Sequence, residues 1–159
     1  MDTETLITET KSLVEDFLTQ MGLDAEITVS VETEAEKDVH YVYVKLEGEN
    51  LGELVGFHGK NLQGSQVILG MMLSKRIGKE QRARLVLEIN DYKEKREKYL
   101  VSYAQRAAMQ VRESAQEMEL TPMKPDERRI VHMALKTETG ISTSSIGEEP
   151  ERRIVITPN

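Results

Sequence analysis

Leu51-Gly52-Glu53-Leu54-Val55-Gly56-Phe57-His58-Gly59-Lys60-Asn61-Leu62-Gln63-Gly64-Ser65 is the stretch whose reading decides the fold. A short apolar piece, residues 51–55, runs into Gly56-x-x-Gly59, and a helical pattern from Lys60 to Ile77 follows at once. Two glycines let the backbone turn tightly and leave no Cβ to hold a phosphate away. The helix behind them offers unpaired N–H groups and the positive end of its dipole to an anion. Taken alone, Gly-x-x-Gly is a common turn, so its meaning rests on its neighbours.

Upstream, Leu6, Ile7, Leu13, Val14, Phe17, Leu18 and Met21 recur at helical spacing and Gly22 punctuates the end. Ile27, Val29 and Val31 then alternate with polar residues, as do Val42, Val44 and Leu46, which predicts two half-buried strands. Leu62, Val67, Ile68, Leu69, Met71, Met72, Leu73 and Ile77 cover most of the helix after the loop, so it is expected to be deeply packed. Gly64 and Gly70, inside that helix, are expected to mark close packing against a neighbour. Downstream, Ala83, Leu85, Leu87 and Ile89 predict a third strand. The order is helix, strand, strand, short helix, glycine turn, helix, strand.

Residues 91–118 predict a long helix with a buried stripe of Tyr92, Tyr99, Leu100, Tyr103, Ala104, Ala107, Ala108, Val111, Ala115 and Met118. Lys93, Lys95, Arg96, Lys98, Arg106 and Arg112 lie mostly off that stripe. Residues 120–123 read as a short strand, and Pro125 suits the first turn of another helix, which Gly140 ends. Residues 141–146 and 152–156 read as strands around a 147–150 turn. Within the last helix, Arg128-x-x-x-His132 stacks a guanidinium and an imidazole one turn apart, a pair able to grip a phosphate or support a base. Such a pair reads as an exposed face, so replacing both by Ala is expected to weaken binding and leave the melting temperature nearly unchanged.

Residues 1–90, with the loop between two helices, resemble a type II KH domain, and Pro125 to Leu135 with residues 143–156 resembles the single-stranded nucleic-acid-binding domain named for its Arg-x-x-x-His motif. In this order the two resemble the bacterial Jag/KhpB family, also called SpoIIIJ-associated proteins. The resemblance implies an α+β fold of two small domains, residues 1–90 and 91–159. The first would be a helix with a three-stranded sheet, the second helices with a small antiparallel sheet, joined by the long helix. It implies a cytoplasmic binder of single-stranded RNA with low sequence specificity, a post-transcriptional regulator or RNA chaperone tied to envelope growth or division. It also implies a small stand-alone KH protein as a partner. The RNA would meet Gly56, Phe57, His58, Gly59 and Lys60 in one domain. In the other it would meet Arg128, Arg129 and His132, with Arg152 and Arg153 near the same helix face. KH loops often carry Lys or Arg where this chain has Phe57 and His58, so contacts through the loop are expected to rest on backbone and Lys60. Many members carry a further N-terminal domain; this chain begins almost at the first KH helix, so that domain is expected to be missing.

Charge is polarised along the chain. The formal net charge is −7, made of −11 over residues 1–54, +7 over residues 55–112 and −3 over residues 113–159. The basic middle suits a polyanion. No cysteine is present, which excludes disulfides and thiolate zinc, and His40, His58 and His132 lack ligand spacing. Gly59-Lys60 is no nucleotide loop, because Leu54 and Asn61 stand where a glycine and a hydroxyl are needed. No catalytic residue, metal or cofactor is expected. No apolar run approaches the roughly 20 residues of a membrane span, and the opening Met1-Asp2-Thr3-Glu4 has no signal-peptide character. Two alternatives stand beside RNA: a protein-interaction adaptor with a degenerate loop, suggested by Phe57-His58 and the acidic head, and single-stranded DNA.

Overall fold

The computed structural model describes residues 2–78 and 80–159. They fall into two compact units, one up to Tyr92 and the other from Lys93 onward.

In the first unit, α1 (Thr3–Met21) starts where the Asp2 carboxylate accepts the Thr5 N–H at 2.8 Å. It stops where Gly22 turns left-handed at φ 67°. Strands β1 (Glu26–Glu34) and β2 (Val39–Glu47) pair antiparallel, and β3 (Ala83–Ile89) adds to β2 in parallel, giving the order β1-β2-β3. The register aligns three apolar rows: Val31, Val42 and Leu85; Val29, Val44 and Leu87; Ile27, Leu46 and Ile89. Period-2 alternation therefore places all nine side chains on one face. The two helices α1 and α3 (Lys60–Ile77) cover that face, with Leu6, Leu13, Leu18, Leu69 and Leu73 in the shared core. Ahead of α3 lie α2 (Gly52–Val55) and a single 3-10 turn, Phe57–Gly59. This is the element order and three-stranded sheet expected of a type II KH domain.

Helix α3 is not packed all round. Leu62, Ser65, Leu69, Leu73 and Ile77 are buried, while Val67, Ile68, Met71 and Met72 are exposed, Met71 by 69%. The sheet has a single covered face and α3 shares it with α1, so only one side of the helix finds a partner. The glycine expectation fails as well. A Cβ on Gly64 would meet nothing within 4 Å, and one on Gly70 would make an ordinary 3.9 Å contact with Leu85.

After β3, Asn90 and Asp91 both take positive φ (50° and 54°) and turn the chain into α4 (Tyr92–Ser114). That helix ends earlier than periodicity predicts, because Ala115 adopts φ 54°. Met118 belongs instead to the two-residue strand β4 (Met118–Glu119), ahead of the 120–123 segment read as a strand. That segment still leans on the sheet, with Leu120 donating to the Ile154 carbonyl at 2.8 Å. Tyr99 is exposed rather than on the buried stripe, which is Leu100, Ala104, Ala107, Ala108 and Val111. Helix α5 (Pro125–Leu135) carries Pro125 in its first turn and stops at Leu135; Gly140 (φ 76°) instead turns the chain into β5 (Ile141–Ile146). With β6 (Arg153–Pro158) the second sheet has the antiparallel order β4-β6-β5. Its core joins the alanine stripe of α4 to Val131, Leu135, Ile141, Ile154 and Ile156.

Gly64 sits in a helix interior beside open space, so Gly64→Ala is expected to stabilise the first unit by up to about 1 kcal/mol. Thermal unfolding should show a rise of about 4–8 °C for a domain of this size. A fall would mean that the backbone there is approached more closely than this structure shows.

Candidate nucleic-acid interface

The glycine loop is built so that each glycine has a local reason. Gly56 sits at φ 66°, and a Cβ there would come within 2.4 Å of the Asn61 side chain. Asn61 is fixed because its amide donates to the Glu53 carbonyl at 2.8 Å, tying the start of α3 back to α2. Gly59 sits at φ 70°, where a Cβ would strike the Tyr92 ring at 2.8 Å. Positive φ is costly for any residue with a Cβ, so both positions are held by conformation and by contact together. Between them Phe57 projects into solvent, 74% exposed, its ring stacked on His58 at 3.9 Å between centroids. Lys60 is exposed at the head of α3. The loop thus gathers a turn in which Gly56 is half-buried and Gly59 buried, a helix N-terminus, one exposed cation, and an exposed phenylalanine stacked on a half-buried histidine.

In the second unit, β5 acts as a ruler for the Arg-x-x-x-His face. Ile141 is buried toward the core, so alternation places Thr143 and Ser145 on the same side, facing α5. His132 Nδ1 and Thr143 Oγ1 lie 2.7 Å apart, and Arg152 Nε donates to Ser145 Oγ at 3.0 Å. Two hydroxyls two residues apart on one strand, roughly 7 Å, thereby hold an exposed imidazole and an exposed guanidinium side by side. Arg129 is exposed on α5 and has no partner among the described residues. The sequence contained the signal for Thr143 and Ser145, since the strand pattern fixes their side once Ile141 is taken as core.

Arg128 departs from expectation. Its side chain is only 11% exposed; Nη1 donates to the Met123 carbonyl at 2.8 Å and Nη2 pairs with Glu149 at 2.7 Å. It braces the 147–150 turn against the chain entering α5, and its charge already has a counter-ion. Removing it cannot leave folding untouched. Arg153 is likewise not brought to the helix face. Ile154 and Ile156 point into the core, so Arg153 points to the opposite side of the sheet, where Nε donates to Glu119 at 2.6 Å. Arg96, read as lying off the buried stripe, turns inward to Glu127 at 2.7 Å. Among the described residues no group of three or more His, Asp or Glu side chains is placed to hold a metal.

Denaturant unfolding should separate these roles. Glu127→Ala, which strands the largely buried Arg96, is expected to cost about 3–5 kcal/mol. Arg128→Ala is expected to cost about 1–3 kcal/mol through the Met123 carbonyl and Glu149 it leaves behind. His132→Ala should change stability by no more than about 0.5 kcal/mol. Equal losses for all three would contradict the geometry described here.

Comparison with known proteins agrees with this division. Residues 11–87 match the family described as KhpA/KhpB, KH domain, and residues 98–158 match the family of domains named for the Arg-x-x-x-His motif. The chain is 31% identical over 153 residues to the RNA-binding protein KhpB of Clostridium symbiosum, covering 96% of this chain and 66% of that protein. It is 28% identical over 155 residues to the RNA-binding protein KhpB of Streptococcus pneumoniae, covering 98% of this chain and 45% of that one. With KhpB of Bacillus subtilis it shares 29% over 134 residues, 61% of that protein's length. The chain therefore spans about two thirds or less of each of these relatives. With the glycine loop in a KH domain and the Arg128–His132 helix in the domain that follows it, the chain belongs to the KhpB (Jag) family.

Proposed function

We propose that this chain is an RNA-binding protein that holds single-stranded RNA largely by its backbone. The observation that carries the reading is the pairing of exposed His132 and Arg152 on the hydroxyls of Thr143 and Ser145, with uncompensated Arg129 beside them. Cations fixed on rigid elements suit phosphates at defined spacing. The glycine loop adds a second contact, in which the backbone at Gly56 and Gly59, with Lys60, meets a phosphate and Phe57 stacks on a base. Both sites lie on one chain, so a strand long enough to reach both binds more tightly than to either. Phosphates carry no sequence information, so contacts made mainly to the backbone favour low sequence specificity. The names of the relatives support RNA over single-stranded DNA. In this reading the protein acts in the cytoplasm as a post-transcriptional regulator or RNA chaperone linked to envelope growth or division. Among the described residues no helix is long and apolar enough to cross a membrane.

A protein partner, a small stand-alone KH protein, is supported by a separate feature. Gly64, Val67, Ile68 and Met71 form an exposed stripe along α3, with Gly64 opening space beside it. A flat apolar helix face of this kind suits a second helix.

Two measurements test these readings. With Lys60, Arg129 and Arg152 on phosphates, these three contacts together should contribute about −2 to the slope of log affinity against log salt, at about 0.7 per contact. The double variant His132→Ala, Arg152→Ala should weaken binding of single-stranded RNA and flatten that slope by about 0.7. Binding unchanged in that variant would dismiss the site. Independently, Met71→Asp should abolish association with a stand-alone KH protein in analytical ultracentrifugation and leave RNA affinity within about two-fold.

A further inference from the structure

Helix α4 carries a feature that neither motif includes. Lys95, Tyr99, Ser102 and Arg106 recur at i, i+4, i+7 and i+11, one side of a helix whose buried stripe is Leu100, Ala104, Ala107, Ala108 and Val111. All four are exposed, and Tyr99 shows 51% of its surface. An exposed tyrosine ordinarily samples several rotamers. This one is held: its ring stacks on Tyr103 with centroids 6.0 Å apart and planes 15° from parallel, and the Arg96 guanidinium lies 5.4 Å from its centroid. Arg96 is itself immobilised by Glu127 at 2.7 Å, and Glu127 also accepts the Lys124 N–H at 3.1 Å. The column therefore runs from a buried carboxylate out to an aromatic ring in solvent. A 6.0 Å separation between near-parallel rings means that they are slid past one another, so part of the Tyr99 face stays open.

Two turns further on, Arg106 donates to Ser102 Oγ at 2.7 Å, and among the described residues no carboxylate pairs with it. A pre-oriented ring flanked along one helix face by cations fits a chain that alternates planar bases with phosphates. A protein partner fits less well, because beside Tyr99 the strip is polar and cationic and lacks the apolar area of a docking face.

We infer that the Lys95–Tyr99–Arg106 face of α4 is a third contact for single-stranded RNA, with a base stacked on Tyr99 and phosphates on Arg106 and Lys95. The inference rests on the RNA-binding reading above and extends it to a surface outside both motifs. It also gives the Arg96–Glu127 pair a second task, that of fixing the ring from beneath.

The chain contains no tryptophan, so Tyr99→Trp places a single reporter at this face. Titration of the variant chain with a single-stranded oligoadenylate should quench the introduced indole, and a duplex of equal length should not. Tyr99→Ala should weaken oligoadenylate binding about five-fold or more, the range of one lost base–aromatic stack. Arg106→Gln should lower the salt slope by about 0.7. If Tyr99→Ala binds as the parent does while the His132, Arg152 double variant is weakened, this face is not a contact and the RNA-binding reading stands. If the parent chain itself fails to bind the oligoadenylate, both readings fall. An indole that responds to a stand-alone KH protein and not to oligoadenylate assigns the face to protein and overturns the inference.

Discussion

A carboxylate taken out of water is tolerable only when its charge is met by donors, and Glu127 meets that condition twice. One oxygen accepts from Arg96 on α4 and the other from the backbone N–H of Lys124, the residue before α5. The same side chain therefore closes the first turn of α5 and binds that helix to α4. The second unit is small, and within it α4 packs largely through alanines, which bring backbones close and contribute little apolar area each. A directional ionic contact sets what such a smooth interface leaves loose, namely the rotation of α5 about its axis. That rotation decides whether His132 reaches Thr143 and whether Arg128 reaches the Met123 carbonyl.

In the proposed reading, the two motifs hold a polyanion by different means. The glycine loop offers backbone, with its glycines locked by Asn61 and Tyr92. The second site offers side chains, of which His132 and Arg152 are steadied by hydroxyls on β5. Its surroundings are not simply positive. Glu149 occupies Arg128, and Glu148 and Glu151 stand in the same turn, so local acid tempers the cations. This agrees with a net charge of −7 for the chain: attraction is confined to patches, and unspecific adhesion to any polyanion is reduced.

Much of this architecture was legible in the sequence, for a physical reason. A strand with one buried face must alternate, and Val42-Val44-Leu46 or Leu85-Leu87-Ile89 have no other periodic reading. Gly22 and Pro125 act locally and were readable locally. What stayed hidden was set by distant chain. Apolar residues around α3 show what burial would favour, but the sheet has room for one side of that helix, so Val67, Ile68 and Met71 remain outside. The spacing of Arg128 and His132 places them on one face and says nothing of Glu149, which arrives from the β5–β6 turn. Ala115 ends α4 without any of the residues that usually mark a helix end. Arg153 is a different case: Ile154 and Ile156 as core residues already imply that it faces away, and adjacency to Arg152 misled.

The hidden parts share a consequence for how such a protein works. Residues that touch solvent at the second site are exposed because buried ones have taken up the strain of positioning them. Arg128 is spent on the turn, Glu127 and Arg96 on the helix pair, while His132, Arg129 and Arg152 stay exposed, and these are the residues that the proposed reading gives to RNA. A motif named for an arginine and a histidine thus divides its labour: the arginine shapes the surface, and the histidine with its neighbours presents it. Since RNA is flexible and its phosphates are alike, a surface of this kind gains more from rigidity than from the number of its charges. In the proposed reading, affinity depends on how firmly a few side chains are held: the β5 hydroxyls hold His132 and Arg152, and the buried carboxylate at Glu127, through Arg96, holds Tyr99.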